Sequence, residues 1–495
     1  MRRFYLILLI IIICYLFLRL CSLLTIPFFI DEADYIYFSK IIFAHPDQGL
    51  FSLYEGVKPM FMWLMIPFLA VSHGHDLIFG RMVPLLAGLA TMMGIYLLSI
   101  ELFKKKEIGI LSMIVFLLSP YAQIYNVLAV LEGTVAMFII FSLYFAIKLF
   151  KKPNFTYAYT FGILTALGIL TKRHAFFSLY LLPFMLLFFD FTRPFYKRLL
   201  KLVLLILFAI SLVVSLQLIL HLSVYFERIA WFEGGPIYTK RAWLELPLGL
   251  KLTVFTTNIT TILKILTNFL TIPYILLLAF SFTLLKKNWK QITVLFAYFI
   301  IPLLTLAIFG RGAGARWIYP MIPPLIPIIA FSLYELKIKL RKTFSKKYIY
   351  FFFLAYPAFY IFMILVSPLH SPLSQAEKDQ YFTCPKELAD VDFNYLHVVS
   401  KDQKVVIGTV NDLGFKNYLA IKLDSKKNIR VIGYFPKEGE VPKELEKYSA
   451  KTKTYFATYL ENSAKLTSSV PIQLITEKKS PYKNCTYRLY KIGNT

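Results

Sequence analysis

The chain has 495 residues, 58% of them hydrophobic, with 54 Lys and Arg against 28 Asp and Glu and a formal charge of +26. Only 17% of the residues are charged, where a soluble protein carries nearer about a quarter. A single soluble domain is therefore excluded, and so is a disordered chain, which needs low hydrophobicity. The basic excess does not mark a nucleic-acid binder. Much of it sits in short clusters between apolar blocks rather than on one folded soluble face.

The apolar blocks fall near 4–24, 82–103, 107–124, 133–150, 156–172, 175–191, 199–222, 263–285, 291–309, 317–335 and 348–367. Each is near the ~20 residues that cross a bilayer as a helix, so the expectation is a polytopic all-α membrane domain of about eleven transmembrane helices over 1–367. The first block follows Arg2-Arg3 and lacks a small-residue cleavage site after Leu24, so it reads as a retained helix rather than a signal peptide. Cys14 and Cys21 lie in it and are expected to be buried as small hydrophobes.

One block, 59–72, is short and starts at Pro59. If it does not cross, the clusters Arg2-Arg3, Lys104 to Lys106, Lys151-Lys152, Arg193 to Lys201, Lys286 to Lys290 and Lys337 to Lys347 all share one side. That is the positive-inside pattern of cytoplasmic loops. The N-terminus is then cytoplasmic, and 25–81, 223–262 and the tail from 368 face outward. The 223–262 loop, with Trp231 and Trp243, reads as a lid.

From residue 368 the composition changes to short β-branched runs: Val405–Val410, Tyr418–Leu423, Ile429–Phe435, Thr454–Leu460, Ile472–Thr476 and Thr486–Ile492. Alternation of this kind argues for strands. Helices are expected at 386–399 and 441–451, giving a small C-terminal α/β domain over 368–495 outside the membrane. Cys384 and Cys485 bracket it, and in an oxidising compartment they could pair. The sequons at Asn258 and Asn484 occur by chance often and carry no weight.

Ionisable groups at a membrane boundary are functional candidates. Asp31, Glu32 and Asp34, with Tyr35, follow the first helix. A carboxylate there can serve as general base toward a hydroxyl or amine. The bland alternative is a helix start, with Asp31 as the cap and the other acids at the positive dipole end. Glu55 and Lys58 come next, and an outer-side lysine suits a phosphate as well as snorkelling to headgroups. Arg81 opens the second block. Glu132 is an acid in an otherwise apolar loop and needs a partner in space. Lys172-Arg173-His174 and the glycine-rich Arg311 to Arg316 segment add outer-side cations, Arg being the better fork for phosphate oxygens. His73-Gly74-His75-Asp76 holds suitable metal ligands but reads better as a polar turn. No P-loop or dinucleotide fingerprint is present, and no nucleophile elbow.

Taken in order, these motifs resemble the membrane-embedded glycosyltransferases of the GT-C superfamily. The resemblance is to glycosyltransferase family 39 and its relatives, which include the dolichyl-phosphate-mannose protein mannosyltransferases and the bacterial aminoarabinose transferases of lipid A. Asp31-Glu32 looks like the family's Asp-Glu motif, Lys58-Pro59 its Lys-Pro segment, Arg81 to Pro84 its Arg-Leu-Pro helix start. Gly168 to Lys172 looks like its Gly-x-x-Thr-Lys, and Arg316 to Pro323 its Arg-Tyr-x-x-Pro. Glu132 stands where the family commonly has Asp, and Arg173-His174 where Gly is frequent. The likeness covers about residues 1–335.

The resemblance implies an inverting transfer of sugar from a polyprenyl-phosphate donor to an envelope lipid, glycan or protein, among membrane lipids and without nucleic acid. It implies Asp31 as the base, with Glu32 positioning it. Lys58, Lys172, Arg311 and Arg316 would hold the donor phosphate. Asp34, Tyr35, Glu55, Arg81, Glu132 and His174 would contact substrate. No resident metal is implied, although a divalent cation could assist. The rival reading is a transporter or flippase of a lipid-linked saccharide. Transporters place ionisable groups near the midplane of repeated halves, whereas here the unusual charges gather at one face and no repeat is visible.

Overall fold

The computed structural model describes residues 2–26, 29–50, 52, 57–191, 195–223, 240–310, 314–340, 346–367, 370, 404–410, 429–434, 440–458, 466–479 and 486–493. Packing divides the chain into two units. One comprises Met1–Ile26, Gly49–Leu64 and Arg81–Leu373; the other comprises Pro27–Gln48, Met65–Gly80 and Ser374–Thr495.

The helices run in chain order as α1 (Arg2–Thr25), α2 (Ile30–Ala44), α3 (Met60–Leu69), α4 (Asp76–Phe103), α5 (Lys106–Leu117), α6 (Pro120–Tyr125), α7 (Leu131–Lys151), α8 (Phe155–Thr171) and α9 (Phe195–Ser223). They continue as α10 (Lys240–Glu245), α11 (Leu248–Ser281), α12 (Leu285–Phe309), α13 (Ala315–Ile318), α14 (Ile326–Lys339), α15 (Lys346–Val366) and α16 (Lys443–Ser449). In hydrocarbon the backbone must satisfy its own polar groups, which long apolar runs achieve only as helices.

Among the described residues six helical stretches are long and apolar enough to span a membrane, one of them the 62-residue Leu248–Phe309 that holds both α11 and α12. A seventh arises if the bent pair before and within α14, angled at 41°, is one span. The chain is thus a multi-pass membrane protein. Its exposed side chains agree. On α1, Tyr5, Leu9, Ile13 and Phe17 are exposed while Tyr15, Arg19 and Leu23 are buried. An apolar stripe left uncovered on a helix is what lipid covers. Cys14 and Cys21 are exposed free thiols, against the expectation of burial, because the outer side of α1 is itself apolar.

Three expected spans are interrupted. Block 107–124 breaks into α5 and α6 at Ser119-Pro120. Block 175–191 becomes a chain of short turns from Arg173–Phe176 to Leu186–Phe188, with Pro183 among them. Block 317–335 begins as α13 and two 3₁₀ turns carrying Pro320, Pro323 and Pro324 before α14. Each proline removes a backbone donor and crowds the preceding turn. The ambiguous 59–72 block contains α3, ten residues long, or about 15 Å, half the ~30 Å hydrocarbon thickness.

Helices α7, α8 and α9 pack side by side through small residues, as membrane helices do. A Cβ on Gly162 would lie 2.9 Å from the Ala209 carbonyl oxygen, and one on Gly168 would lie 2.8 Å from the Ala175 Cβ and 3.0 Å from that of Phe138.

The second unit contains α2 and a five-stranded sheet of order β2-β1-β3-β5-β4. The strands are β1 (Val405–Val410), β2 (Ile429–Tyr434), β3 (Lys453–Thr458), β4 (Ile472–Lys479) and β5 (Thr486–Ile492). β1 pairs in parallel with β2 and β3, and β5 is antiparallel to β3 and β4. α16 packs on it through Leu445 in a core with Val406, Phe456, Tyr490 and Ile492. The sheet is the small α/β domain expected of the tail. Tyr418–Leu423, the 386–399 helix, Cys384 and Cys485 lie outside the described residues.

Candidate functional site

The first unit gathers charged residues that are far apart in sequence. α7 opens at Leu131, which sets Glu132 in its first turn, fully buried. Its Oε1 accepts from Arg316 Nε of α13 at 2.9 Å and also from Lys172 Nζ just past α8. The cations keep some solvent contact, their side chains being 16% and 22% exposed for Lys172 and Arg316. Glu132 Oε2 is buried with no hydrogen-bond partner.

Lys172 follows α8 as an extended residue, and Arg173–Phe176 then forms a 3₁₀ turn. That turn brings His174 into the same cluster, where Lys172, Glu132 and Arg316 all act on its ring. Burial, and next the charge of Lys172, push His174 down to about 3. Its ring hydrogen-bonds the Trp317 backbone, while Nδ1 is buried without a partner. Lys58 stands before α3 and within electrostatic reach of Arg173. Burial and then that neighbouring guanidinium lower its pKa from the ordinary lysine value. Lys172 and Arg316 thus converge on one buried carboxylate, and Lys58 and Arg173 lie within electrostatic reach of each other. Such a cluster can hold an anion with several oxygens.

A polar layer backs the cluster. Tyr319, one turn from Arg316, donates to Asn126 Oδ1 at 2.7 Å. A Cβ on Gly133 would sit 2.8 Å from the Tyr125 carbonyl oxygen and 3.1 Å from Asn126 Oδ1, so the start of α7 lies tight against this layer. Arg19 is fully buried, donates to the Leu117 carbonyl at 3.3 Å and stacks on Tyr15 at 5.0 Å. Arg81 is fully buried and donates to the carbonyls of Leu23 and Ile26 at 2.7 and 2.9 Å. It holds the C-terminal end of α1, where a cation complements the dipole.

The acidic motif opens α2 in the second unit. Its cap is Phe29 rather than Asp31: the Glu32 backbone donates to the Phe29 carbonyl at 3.0 Å, and Glu32 Oε2 accepts from the Phe29 backbone at 2.9 Å. Glu32 is thereby fixed and fully buried, whereas Asp31 and Asp34 keep partial exposure. Tyr35 OH approaches Asp31 Oδ2 at 3.5 Å. In the same unit Asp76 ion-pairs with Lys40 at 3.1 Å and accepts from Ser72. His73 and Gly74 have φ of 46° and 91°, the geometry of a tight turn. Among the described residues no three His, Cys, Asp or Glu side chains gather as a metal site. Glu55 and Arg311 lie outside the described residues, as do 224–239 of the expected lid.

Arg173, Asn126 and Tyr319 are the site residues that sequence reasoning did not assign. Arg173 stood in a cationic run that was already singled out. Tyr319 stood inside the Arg316 to Pro323 motif without a role, and Asn126 carries no charge pattern that could reveal it.

The fold, a set of apolar helices and a small sheet domain, has a solved counterpart. Residues 55–216 match the family model described as dolichyl-phosphate-mannose-protein mannosyltransferase. The structure is similar to ArnT from Cupriavidus metallidurans in the apo state, with a TM-score of 0.63 at 12% identity, covering 98% of this chain and 97% of that one. It is equally similar to the same ArnT bound to undecaprenyl phosphate, with a TM-score of 0.63, 12% identity and the same 98% and 97% coverage. No curated protein sequence matches.

Proposed function

We propose that the chain is an integral-membrane glycosyltransferase that takes sugar from a polyprenyl-phosphate donor and delivers it to an acceptor at the extracytoplasmic face. The observation that carries this is the pairing of Lys172 and Arg316 with buried Glu132, with Lys58 within electrostatic reach of Arg173, the residue next to Lys172. A polyprenyl phosphate leaving group needs such a cradle, since negative charge grows on its oxygen as the bond to the sugar breaks. Preorganised cations in a low-dielectric site stabilise that charge strongly. The family match over 55–216 and the likeness to an ArnT bound to undecaprenyl phosphate support the same donor class.

In this reading the acceptor oxygen or nitrogen attacks the anomeric carbon and forms the new glycosidic bond. The carbon–oxygen bond to phosphate breaks, and its electron pair leaves on the polyprenyl phosphate. The acceptor proton passes to Asp31, which its place in the Asp-Glu motif and its partial exposure favour as the base. Glu32, locked to the α2 N-terminus, positions it. Attack opposite the leaving group inverts the anomeric centre. Lys/Arg bias argues for a cytoplasmic N-terminus and an extracytoplasmic C-terminal domain.

The test is transfer of radiolabelled sugar from a panel of polyprenyl-phosphate sugars in proteoliposomes. Wild type should turn over. Asp31→Asn should bind donor without turnover, and Lys58→Ala should lose donor binding. Labelled donor that crosses the bilayer without transfer would replace this reading with a flippase.

A further inference from the structure

We infer that Lys105 and Lys337 bind the phosphate of one anionic phospholipid, at the membrane face opposite the donor cations. This site goes beyond the glycosyltransferase reading and does not depend on it.

Helix α7 relates the two faces. Glu132 lies in its first turn and Lys151 is the last of its 21 residues, a length of about 30 Å, which is the hydrocarbon thickness. Lys151 pairs with Glu101 of α4 at 2.7 Å, and Glu101 also takes Lys104 at 2.9 Å. The turn from α4 to α5 therefore sits one membrane thickness from the Lys172–Glu132–Arg316 cluster. Tyr5 and Tyr348, exposed at the starts of α1 and α15, are residues of the kind that collect at headgroup level.

Some lysines at this face are matched by acids. Lys104 and Lys151 share Glu101, and Lys287 pairs with Glu335 at 3.2 Å. Lys105, Lys106 and Lys337 make no ion pair among the described residues, and neighbouring Glu107 makes none either. They lie over aromatic rings instead. Lys105 Nζ is 4.4 Å and Lys337 Nζ 5.3 Å from the centroid of the same ring, that of Tyr334. Lys337 is also 5.4 Å from the Tyr350 ring, and Lys106 is 5.2 Å from that of Phe4. A ring face attracts a cation. One ring shared by two ammoniums still leaves two like charges close together with no carboxylate to offset them. Lys105, Lys337, Tyr334 and Tyr350 all keep partial exposure, so a ligand can reach the pair. The helix dipole accounts for Lys337, in the last turn of α14. It disfavours Lys105 and Lys106, which stand at the start of α5, because a cation there meets the positive end.

Two ammoniums held this close are satisfied by an anion with several oxygens, and a phosphate is one. The surroundings make it the phosphate of a lipid. Helices α1 and α15 touch each other and run from this level with Leu6, Leu9, Phe351 and Phe352 exposed, a surface that acyl chains cover. Basic pockets between helix ends hold acidic headgroups in this way. A choline headgroup would bring a third cation to the two lysines, whereas a headgroup of net negative charge brings none.

The experiment titrates full-length protein in neutral detergent with phosphatidylglycerol and with phosphatidylcholine, and counts bound lipid by native mass spectrometry. Wild type should hold its tightest phosphatidylglycerol at least about tenfold more strongly than phosphatidylcholine. A basic residue beside anionic lipid contributes about fivefold, so Lys105→Gln combined with Lys337→Gln should weaken phosphatidylglycerol about 25-fold. Lys105→Arg with Lys337→Arg keeps both charges and should retain the lipid. Lys290→Gln with Lys339→Gln removes equal charge from lysines over other rings, those of Trp289 and Phe280, and should cost under about threefold. Polyprenyl phosphate should bind wild type and the Lys105/Lys337 Gln pair alike. Equal losses in the two Gln pairs would reveal diffuse surface charge and overturn the inference. So would phosphatidylcholine binding as tightly as phosphatidylglycerol, or complete displacement of the lipid by millimolar inorganic phosphate. These last two measurements use wild type alone, so they decide the matter whether or not the Gln pair folds. Loss of polyprenyl phosphate together with phosphatidylglycerol in the Lys105/Lys337 pair would overturn the placement of the site apart from the donor cations.

Discussion

Glu132 shows how one side chain can organise a site without touching the reacting atoms. It is wholly buried and shared between Lys172 and Arg316. Removing one partner from a buried ion pair costs about 3–5 kcal/mol; here the remaining cations keep some solvent contact, which argues for the lower end. Glu132→Gln should therefore lower the thermal midpoint by several degrees and raise the donor KM at least about tenfold. Differential scanning fluorimetry and steady-state kinetics would check the two effects separately. Lys58 gives a pH signature. Burial and Arg173 hold its pKa below the ordinary lysine value, and only the protonated form attracts phosphate. Donor affinity should be constant below that lowered pKa and should fall as pH rises through it, earlier than for an ordinary lysine. Lys58→Arg, which stays charged, should keep its affinity across the same range. Binding of polyprenyl phosphate measured from pH 7 to 10 decides this.

At the scale of elements, packing at two helix ends decides where the cations stand. Gly168, in the last turn of α8, lets Ala175, just after the Lys172–His174 segment, and Phe138 pack close against the helix. Gly168→Val has no room for its branch and should displace that segment, raising donor KM more than it lowers stability. Asn258 on α11 donates to the carbonyls of Leu306, Ala307 and Gly310 at 3.5, 3.2 and 2.8 Å. It thus caps the C-terminus of α12, upstream of Arg316. It is buried, which explains why its sequon has no structural meaning. Asn258→Leu should cost about 1–3 kcal/mol, read as a lowered midpoint in thermal unfolding. Much of this level was legible in the sequence. Hydropathy located nearly every long helix, and alternation located β1, β2, β3, β4 and β5 to within a few residues. The breaks were less legible, because prolines 183, 320, 323 and 324 sit inside runs whose hydropathy is uninterrupted. Pairings were least legible: Lys172 lies 40 residues from Glu132 and Arg316 lies 184 away. Hydrophobic periodicity reports which face is buried, not which distant charge meets it. The sequence marked Lys172, Arg316 and Glu132 as candidates because ionisable groups are rare at a membrane boundary. It could not show that the acid and the bases were one cluster.

For the molecule as a whole, the question is whether donor binding and chemistry can be separated. The cations lie in the unit of Met1–Ile26, Gly49–Leu64 and Arg81–Leu373, and Asp31 lies in the other. If the cations supply the phosphate cradle and Asp31 supplies the base, each function should be removable without the other. A ligand that binds only the folded state stabilises it by about 2.7 kcal/mol at a hundred times its Kd. For a chain of this size that is a rise in thermal midpoint of a few degrees. Polyprenyl phosphate should produce that rise in wild type and in Asp31→Asn alike, and produce none in Lys58→Ala. Transfer should be lost in both variants. A rise that vanished in Asp31→Asn would mean that the carboxylate helps to hold the donor and that binding and proton transfer are not separable. A rise that persisted undiminished in Lys58→Ala would remove Lys58 from the cradle and leave its place to Lys172, Arg173 and Arg316.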